Sequence, residues 1–245
     1  MNRAGNPMNI PLCVFFSLVF TLFGTPFGAV VAQTQGDLTA NASAEVVTAL
    51  QHYRAGRDLE AQNRLNDAIQ RYDDAVRLCR AEIDAGKASS DTYAVLTWSM
   101  RRQNKHDDVL TWGERALALF PNDIRIIETM GQSLFYLGDY ARSLSHMQRY
   151  TNSIPQGGRA SVAYFFIGEI YRLRRQFQHA DIAYTMAVRQ EPGLPLWWYR
   201  LGSVREAAGD FPQALEAYER AVALNPNYQE ASSGLARSRS QTQAN

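Results

Sequence analysis

Cysteine and lysine are scarce in this chain of 245 residues, and neither sign of charge prevails. Cys13 and Cys79 are the two cysteines, and Lys87 and Lys105 are the only lysines among 25 basic residues. The net charge of +1 argues against the positive field of a nucleic-acid-binding protein, so no nucleic-acid partner is expected. The excess of arginine reflects either a compositional bias of the genome or a surface that uses planar guanidinium groups for binding.

Motifs for catalysis are absent as well. The sequence has no Gly-rich phosphate loop, no Gly-x-Ser-x-Gly elbow and no Cys-x-x-Cys pair. Its four histidines, His52, His106, His146 and His179, are irregularly spaced and are not expected to converge on a metal. The sequence therefore predicts no enzyme, no metal site and no bound cofactor.

The first 32 residues resemble a secretory signal peptide. Arg3 precedes an apolar run over residues 12–23, and Val30-Val31-Ala32 has the small-residue character of a cleavage site. We expect cleavage after Ala32 and an exported, periplasmic or secreted protein, in which residues 33–44 form a flexible polar N-terminus. The alternative is that the segment is retained as a membrane anchor, although Gly24, Pro26 and Gly28 interrupt its apolar run.

A period of 34 residues dominates the second half of the chain. It relates five pairs of identical residues: Gly168/Gly202, Ala180/Ala214, Tyr184/Tyr218, Ala187/Ala221 and Pro192/Pro226. A fixed period between about 20 and 50 residues is typical of a stacked-repeat protein. Such proteins offer a surface for partners rather than a pocket for chemistry.

Residues 195–228 resemble one unit of the tetratricopeptide repeat family. The unit has the family's residue types at the family's offsets, with Arg205 as its one departure: Trp198, Leu201, Gly202, Ala214, Tyr218, Ala221 and Pro226. The resemblance implies an all-α fold, a right-handed superhelical solenoid of antiparallel helix pairs.

The resemblance extends over an array at residues 45–239. We assign five units at about 49–82, 90–123, 124–157, 161–194 and 195–228, a capping helix at 228–239 and a disordered tail at 240–245. Unit two departs from the pattern at Thr97, Val109 and Gly113, and Tyr150 in unit three replaces a preferred alanine. The segment Gly157-Gly158-Arg159 is three residues in excess of the period, which favours a flexible joint.

In this family the first helix of each unit lines a concave surface that holds peptides. The resemblance places the following residues there: Tyr53, Arg54, Arg57, Trp98, Arg101, Arg102, Arg125, Glu128, Gln132, Phe135, Phe165, Glu169, Arg172, Tyr199 and Arg200. Tyr and Trp rings mixed with arginines are typical of binding hot spots. The Lys and Asn pair with which some members grip a terminal carboxylate is replaced by Tyr53 and Arg57.

The sequence thus favours an exported scaffold that binds a protein or peptide of unknown identity, with envelope assembly or secretion as the process it would serve. Two other functions remain open. The aromatic residues of units three and four would enclose a lipid-like or other apolar molecule in a cavity of about 300–1,000 Å³. Alternatively, the units would self-associate as a structural module.

Overall fold

The computed structural model describes residues 48–244 of the chain. The predicted signal peptide and polar N-terminus lie outside the described residues. Within residues 48–244 the chain forms eleven α-helices and no strand: α1 (Ala49–Ala61), α2 (Leu65–Asp84), α3 (Ser90–Arg102), α4 (His106–Leu119), α5 (Ile124–Tyr136), α6 (Tyr140–Ser153), α7 (Ala160–Leu173), α8 (Phe177–Gln190), α9 (Pro195–Ala207), α10 (Phe211–Leu224) and α11 (Gln229–Ala244).

The helices form five antiparallel pairs, α1/α2 to α9/α10, that stack in chain order. Each helix packs against the next one along the chain, and the first helices α1, α3, α5 and α7 also contact one another in series. The single helix α11 packs on α9 and α10 at the end of the array. The predicted all-α solenoid of helix pairs is confirmed.

Every unit makes its internal turn in the same way. The second residue after each first helix has a positive φ between 57° and 83°, at Asn63, Asn104, Gly138, Arg175 and Gly209. A left-handed residue at this place satisfies the last carbonyls of a helix and reverses the chain. This shared conformation gives the five pairs a common geometry and sets the first helices side by side.

The core repeats a contact between a glycine and a tyrosine ring. Gly168 lies against Tyr184 so closely that a Cβ atom on it would be 2.6 Å from ring atom Cδ1. Gly56 with Tyr72 and Gly202 with Tyr218 repeat this contact. All three rings are buried, so the small residue of each first helix is required by the ring that covers it.

Unit two exchanges the two residue types. Thr97 occupies the glycine position, where its hydroxyl donates to the carbonyl of Tyr93 at 2.9 Å, and Gly113 occupies the tyrosine position. The side chain of Met130 from α5 fills the space beside Gly113, because a Cβ atom there would lie 2.5 Å from the Met130 sulfur. The departures of this unit are therefore complementary.

The three extra residues between units three and four accommodate Tyr150. The Tyr150 ring is buried, and its hydroxyl accepts a hydrogen bond from the backbone N–H of Arg159 at 2.9 Å. Gly157 and Gly158 both have positive φ, and the Gly157 N–H donates to Gln190 Oε1 at 3.3 Å. The predicted joint is thus a specific turn that carries Arg159 to the start of α7.

The C-terminal helix is longer than the sequence indicates. It continues to Ala244, through positions that we assigned to a disordered tail beginning at residue 240. The Thr242 hydroxyl donates to the carbonyl of Ser238 at 2.8 Å, and Ser238 is buried against the array. Packing of this turn extends the helix beyond what its polar composition predicts.

Candidate partner-binding groove

One side of the array is built from the first helices. Because α1, α3, α5 and α7 contact one another in series, their common side forms one continuous surface, which we call the groove. All fifteen residues predicted to line the concave surface belong to α1, α3, α5, α7 or α9. The structure divides them into buried and accessible groups.

Six of the fifteen have less than a tenth of their surface exposed: Tyr53, Glu128, Gln132, Phe135, Phe165 and Glu169. Phe165 stacks on Trp197 with ring centroids 5.0 Å apart, and Phe135 meets Phe166 edge-on at 5.0 Å. These side chains form the floor of the groove. The aromatic rings of units three and four thus pack on one another instead of standing free.

The other nine are accessible to different degrees. Arg54 and Arg57 are exposed on α1, and the other seven are partly buried: Trp98, Arg101, Arg102, Arg125, Arg172, Tyr199 and Arg200. Trp98 lies 5.5 Å from the ring of Tyr53, and Tyr199 lies 5.1 Å from the ring of Tyr228. These residues form the accessible part of the groove, around its buried floor.

A cleft of about 470 Å³ opens between α1, the end of α2 and α3. Arg54, Trp98 and Arg125 line it, together with Glu82 and Thr92, whose side chains are joined by a hydrogen bond of 2.6 Å. The cleft brings residues from units one, two and three together at one end of the groove.

Glutamates on the groove side each hold one or more arginines. Glu60 accepts a hydrogen bond from Arg102 Nη1 at 3.0 Å, and Glu128 accepts one from Arg159 Nε at 2.9 Å. Glu128 also accepts from the side-chain amide of Gln132. Each of these pairs places a guanidinium group against a carboxylate that is buried or nearly so, and each joins two units of the array.

The same arrangement recurs in units four and five. Glu169 is fully buried, receives the Tyr184 hydroxyl, and pairs with Arg172 Nη2 at 2.8 Å and with Arg200 Nε at 3.0 Å. Burial raises the pKa of Tyr184 and the negative charge of Glu169 raises it further, so this phenol stays protonated and acts as a donor. One carboxylate thus holds two arginines, and the contact with Arg200 joins α7 to α9.

Arg125 is held outside the floor of the groove. It forms hydrogen bonds of 2.6 Å with both Asp123 and Asp91. Partial burial alone would raise the pKa of Asp123, but the hydrogen bonds and positive charge of Arg125 outweigh that effect and lower it. This arginine therefore joins α3 to α5 and has little charge to offer a partner.

Arg101 differs from the arginines around it. No carboxylate of residues 48–244 lies within 4 Å of its guanidinium group, whereas its neighbours Arg102 and Arg159 are both paired. Burial and the positive charges of those two neighbours lower the pKa of Arg101 to about 10, so it is still charged at neutral pH. The centre of the groove thus contains three guanidinium groups and two glutamates.

Two residues at the centre of the groove, Glu60 and Arg159, are not among the predicted residues. Glu60 follows Arg57 by three positions on α1, so the helical period could have found it. Arg159 lies in the extra turn between units three and four, where the repeat pattern gives no position. Its contact with Glu128 depends on the conformation of this turn.

Other chemical features are few in the described part of the chain. Residues 48–244 contain no group of three or more histidine, cysteine or acidic residues that could hold a metal ion. Cys79 is buried, and burial raises the pKa of its thiol to about 12, which keeps it unreactive. None of the described helices combines the length and the apolar character needed to cross a membrane.

Comparison with known proteins identifies the repeat. The sequence profile of the tetratricopeptide repeat matches residues 195–228, which hold α9 and α10. The thermophilic TPR protein TTC0263 of Thermus thermophilus is similar in fold, with a TM-score of 0.58 at 16% identity, covering 78% of this chain and 98% of that one.

Two further structures share the fold. MamA from residue 41 to its end, of Desulfovibrio magneticus RS-1, has a TM-score of 0.54 at 16% identity and covers 74% of this chain and 96% of that one. A chain of the APC/C hetero-tetramer Cut9–Hcn1 has a TM-score of 0.55 at 14% identity, covering 80% of this chain and 44% of that one.

These comparisons confirm the predicted repeat where it was strongest: residues 195–228 match the tetratricopeptide repeat, and the array shares its fold with tetratricopeptide-repeat proteins. The fifth unit matches the repeat in sequence, and the other four units share its helix-pair fold. Arrays of this kind are interaction scaffolds, since their stacked units present an extended surface rather than an enclosed pocket.

Proposed function

We propose that this protein is an exported scaffold that binds a protein or peptide partner in the groove formed by α1, α3, α5, α7 and α9. The observation that supports it most directly is the composition of the groove, where Trp98, Tyr136 and Tyr199 lie among arginines on accessible surface. Aromatic residues and arginine are the types that contribute most to protein interfaces. A protein assembly is also formed by a structural neighbour, the Cut9–Hcn1 hetero-tetramer.

The proposal assigns no catalytic step, cofactor or metal to the chain. Its export rests on the pattern of residues 1–32 alone. Export in turn favours a role in envelope assembly or secretion. Mass spectrometry of the intact protein purified from its own cells tests whether the chain is exported and cleaved. A mature chain that begins at Gln33 supports export, whereas an uncut chain in the soluble fraction contradicts it.

Site-specific photo-crosslinking tests the groove. A benzophenone amino acid is placed at Tyr136, which is 43% exposed on α5, or at Ile182, which is 65% exposed on the second helix α8. A partner captured in the native cell extract from position 136 and not from position 182 supports the proposal. Equal capture at both positions, or capture at 182 alone, would place the binding surface elsewhere.

The two alternatives give different results in the same preparation. A bound apolar small molecule would appear in native mass spectrometry of the purified protein. Self-association would appear as a concentration-dependent sedimentation coefficient, with crosslinks between copies of this chain.

A further inference from the structure

The groove carries more positive charge than its own carboxylates neutralise. Six arginines belong to the paired network or lie beside it: Arg101, Arg102, Arg159, Arg172, Arg200 and Arg237. Four glutamates belong to it: Glu60, Glu128, Glu169 and Glu206. Since the whole chain has a net charge of only +1, this excess is a local property of the groove.

The excess is centred on Arg101. Its sequence neighbour Arg102 forms an ion pair with Glu60 of α1, and Arg159 forms one with Glu128 of α5, so both neighbouring cations are already paired. Arg101 has no carboxylate of its own among residues 48–244. The Arg102 side chain, only 10% exposed, also has a buried Nε atom without a hydrogen-bond acceptor in the described structure.

Aromatic surface lies next to this centre. The Tyr136 ring stacks on His106 at 5.0 Å with an angle of 16°, and Tyr136 keeps 43% of its surface exposed. Trp98 lies one helical turn before Arg101 and Arg102 on α3 and is partly exposed. A guanidinium group beside aromatic rings favours an anionic group that belongs to a peptide. The guanidinium group binds the anion, and the rings contact the peptide atoms on either side of it.

We propose that the groove binds an acidic segment of a protein partner, with an Asp or Glu side-chain carboxylate on Arg101 between Arg102 and Arg159. This inference rests on the proposed scaffold function and specifies its partner. A carboxylate there meets the planar donor fork of Arg101 without displacing the Glu60 or Glu128 pairs. The arginines paired with Glu169 continue the row of guanidinium groups along α7 and α9.

Synthetic peptides test the proposal on the full chain. The probe is a labelled peptide of about twelve residues, acetylated and amidated, with internal Asp and Glu residues around one aromatic residue. Its control has Asn and Gln in place of the acids. We expect the acidic probe to bind at least about tenfold more tightly than the control, with affinity that falls as ionic strength rises.

Variants of the protein locate the contact. Arg101→Gln is expected to weaken the acidic probe about tenfold, while Arg101→Lys keeps the charge and retains part of the affinity. Arg189→Gln is the matched control, since it removes the same charge from an exposed position on α8. Arg102→Gln is unsuitable as the primary variant, because it would leave the nearly buried Glu60 unpaired.

The outcomes separate this inference from the scaffold function. Equal affinity for acidic and amide probes, or equal loss in Arg101→Gln and Arg189→Gln, overturns the acidic-segment proposal. A probe that binds only with a free C-terminal carboxylate overturns the side-chain assignment. If a benzophenone amino acid at position 136 still crosslinks a partner that the acidic probe does not displace, the groove functions as a scaffold and only the acidic-segment proposal is wrong.

Discussion

At the scale of single residues, the glycine on a first helix and the tyrosine on its second helix form one unit of packing. Gly168 and Gly202 occupy the same place in successive repeats and face Tyr184 and Tyr218. The ring lies where any side chain on the glycine would be. The absence of a side chain on the glycine is therefore as important to this packing as the ring that fills the space.

Gly168→Ala should destabilise the array. The new Cβ atom would lie 2.6 Å from Cδ1 of the buried Tyr184 ring, so the helices must move apart. We expect a loss of about 1–3 kcal/mol in the free energy of unfolding, measured with urea. Gly193→Ala is the control, because nothing lies within 4 Å of a Cβ atom there. A variant at 168 as stable as the control would show that the ring moves freely.

The sequence predicts this packing in the regular units and misses it in unit two. There the tyrosine position holds Gly113 and the glycine position holds Thr97, so a comparison with the repeat pattern shows these two residues only as departures. The compensation comes from Met130, a residue of the next unit. The repeat pattern compares residues within one unit, so it does not reveal a contact that is made between two units.

At the scale of elements, short connections determine which charged residues reach the groove. The extra turn before α7 carries Arg159 to Glu128, and the Tyr150 hydroxyl holds the turn. The sequence indicates an insertion here but not its conformation, because three residues with two glycines have many available shapes. The charged network could be predicted where it follows the helical period and not where it depends on this loop.

The junction of α9 and α11 should weaken in acid. Glu206 receives Nε of Arg237 at 2.7 Å and the Tyr218 hydroxyl at 2.6 Å. The Arg237 hydrogen bond outweighs partial burial and lowers the pKa of Glu206 below its ordinary value of 4.5. A carboxyl group with a lowered folded-state pKa stabilises the fold above its unfolded pKa, and this contribution is lost as the pH falls through the folded value.

Urea unfolding at pH 7 and at about pH 3 measures the effect. Glu206→Gln should be less stable than the wild type at pH 7, and the difference should shrink as the pH falls through the lowered folded-state pKa of Glu206. Glu219→Gln removes the exposed pair with Arg239 and serves as the control, with little change at either pH. A deficit of Glu206→Gln that is independent of pH would assign the effect to packing.

At the scale of the whole molecule, the array is a row of units that stabilise their neighbours. Its buried residues form clusters in succession, one over α1 to α5, one over α5 to α10 and one where α10 meets α11. The groove exists only because the pairs stack, since its charged contacts join different units: Glu60 to Arg102 and Glu169 to Arg200. The binding surface and the stability of the array therefore depend on the same stacking.

Deletion of residues 229–244 should loosen the array from one end. α11 covers the Tyr218 ring, with Gly234 so close that a Cβ atom would lie 2.4 Å from ring atom Cζ, and it supplies Arg237 to Glu206. Because stability in a solenoid is a sum over units and their nearest interfaces, the loss should remain local.

Amide hydrogen exchange should therefore accelerate in α9 and α10 and stay unchanged in α1 to α4 when residues 229–244 are deleted. The exposed Tyr218 face should also promote self-association, which sedimentation would detect. Faster exchange spread evenly from α1 to α10 would mean that the array unfolds as one cooperative block, and a solenoid built from nearest-neighbour contacts would then be the wrong description of its energetics.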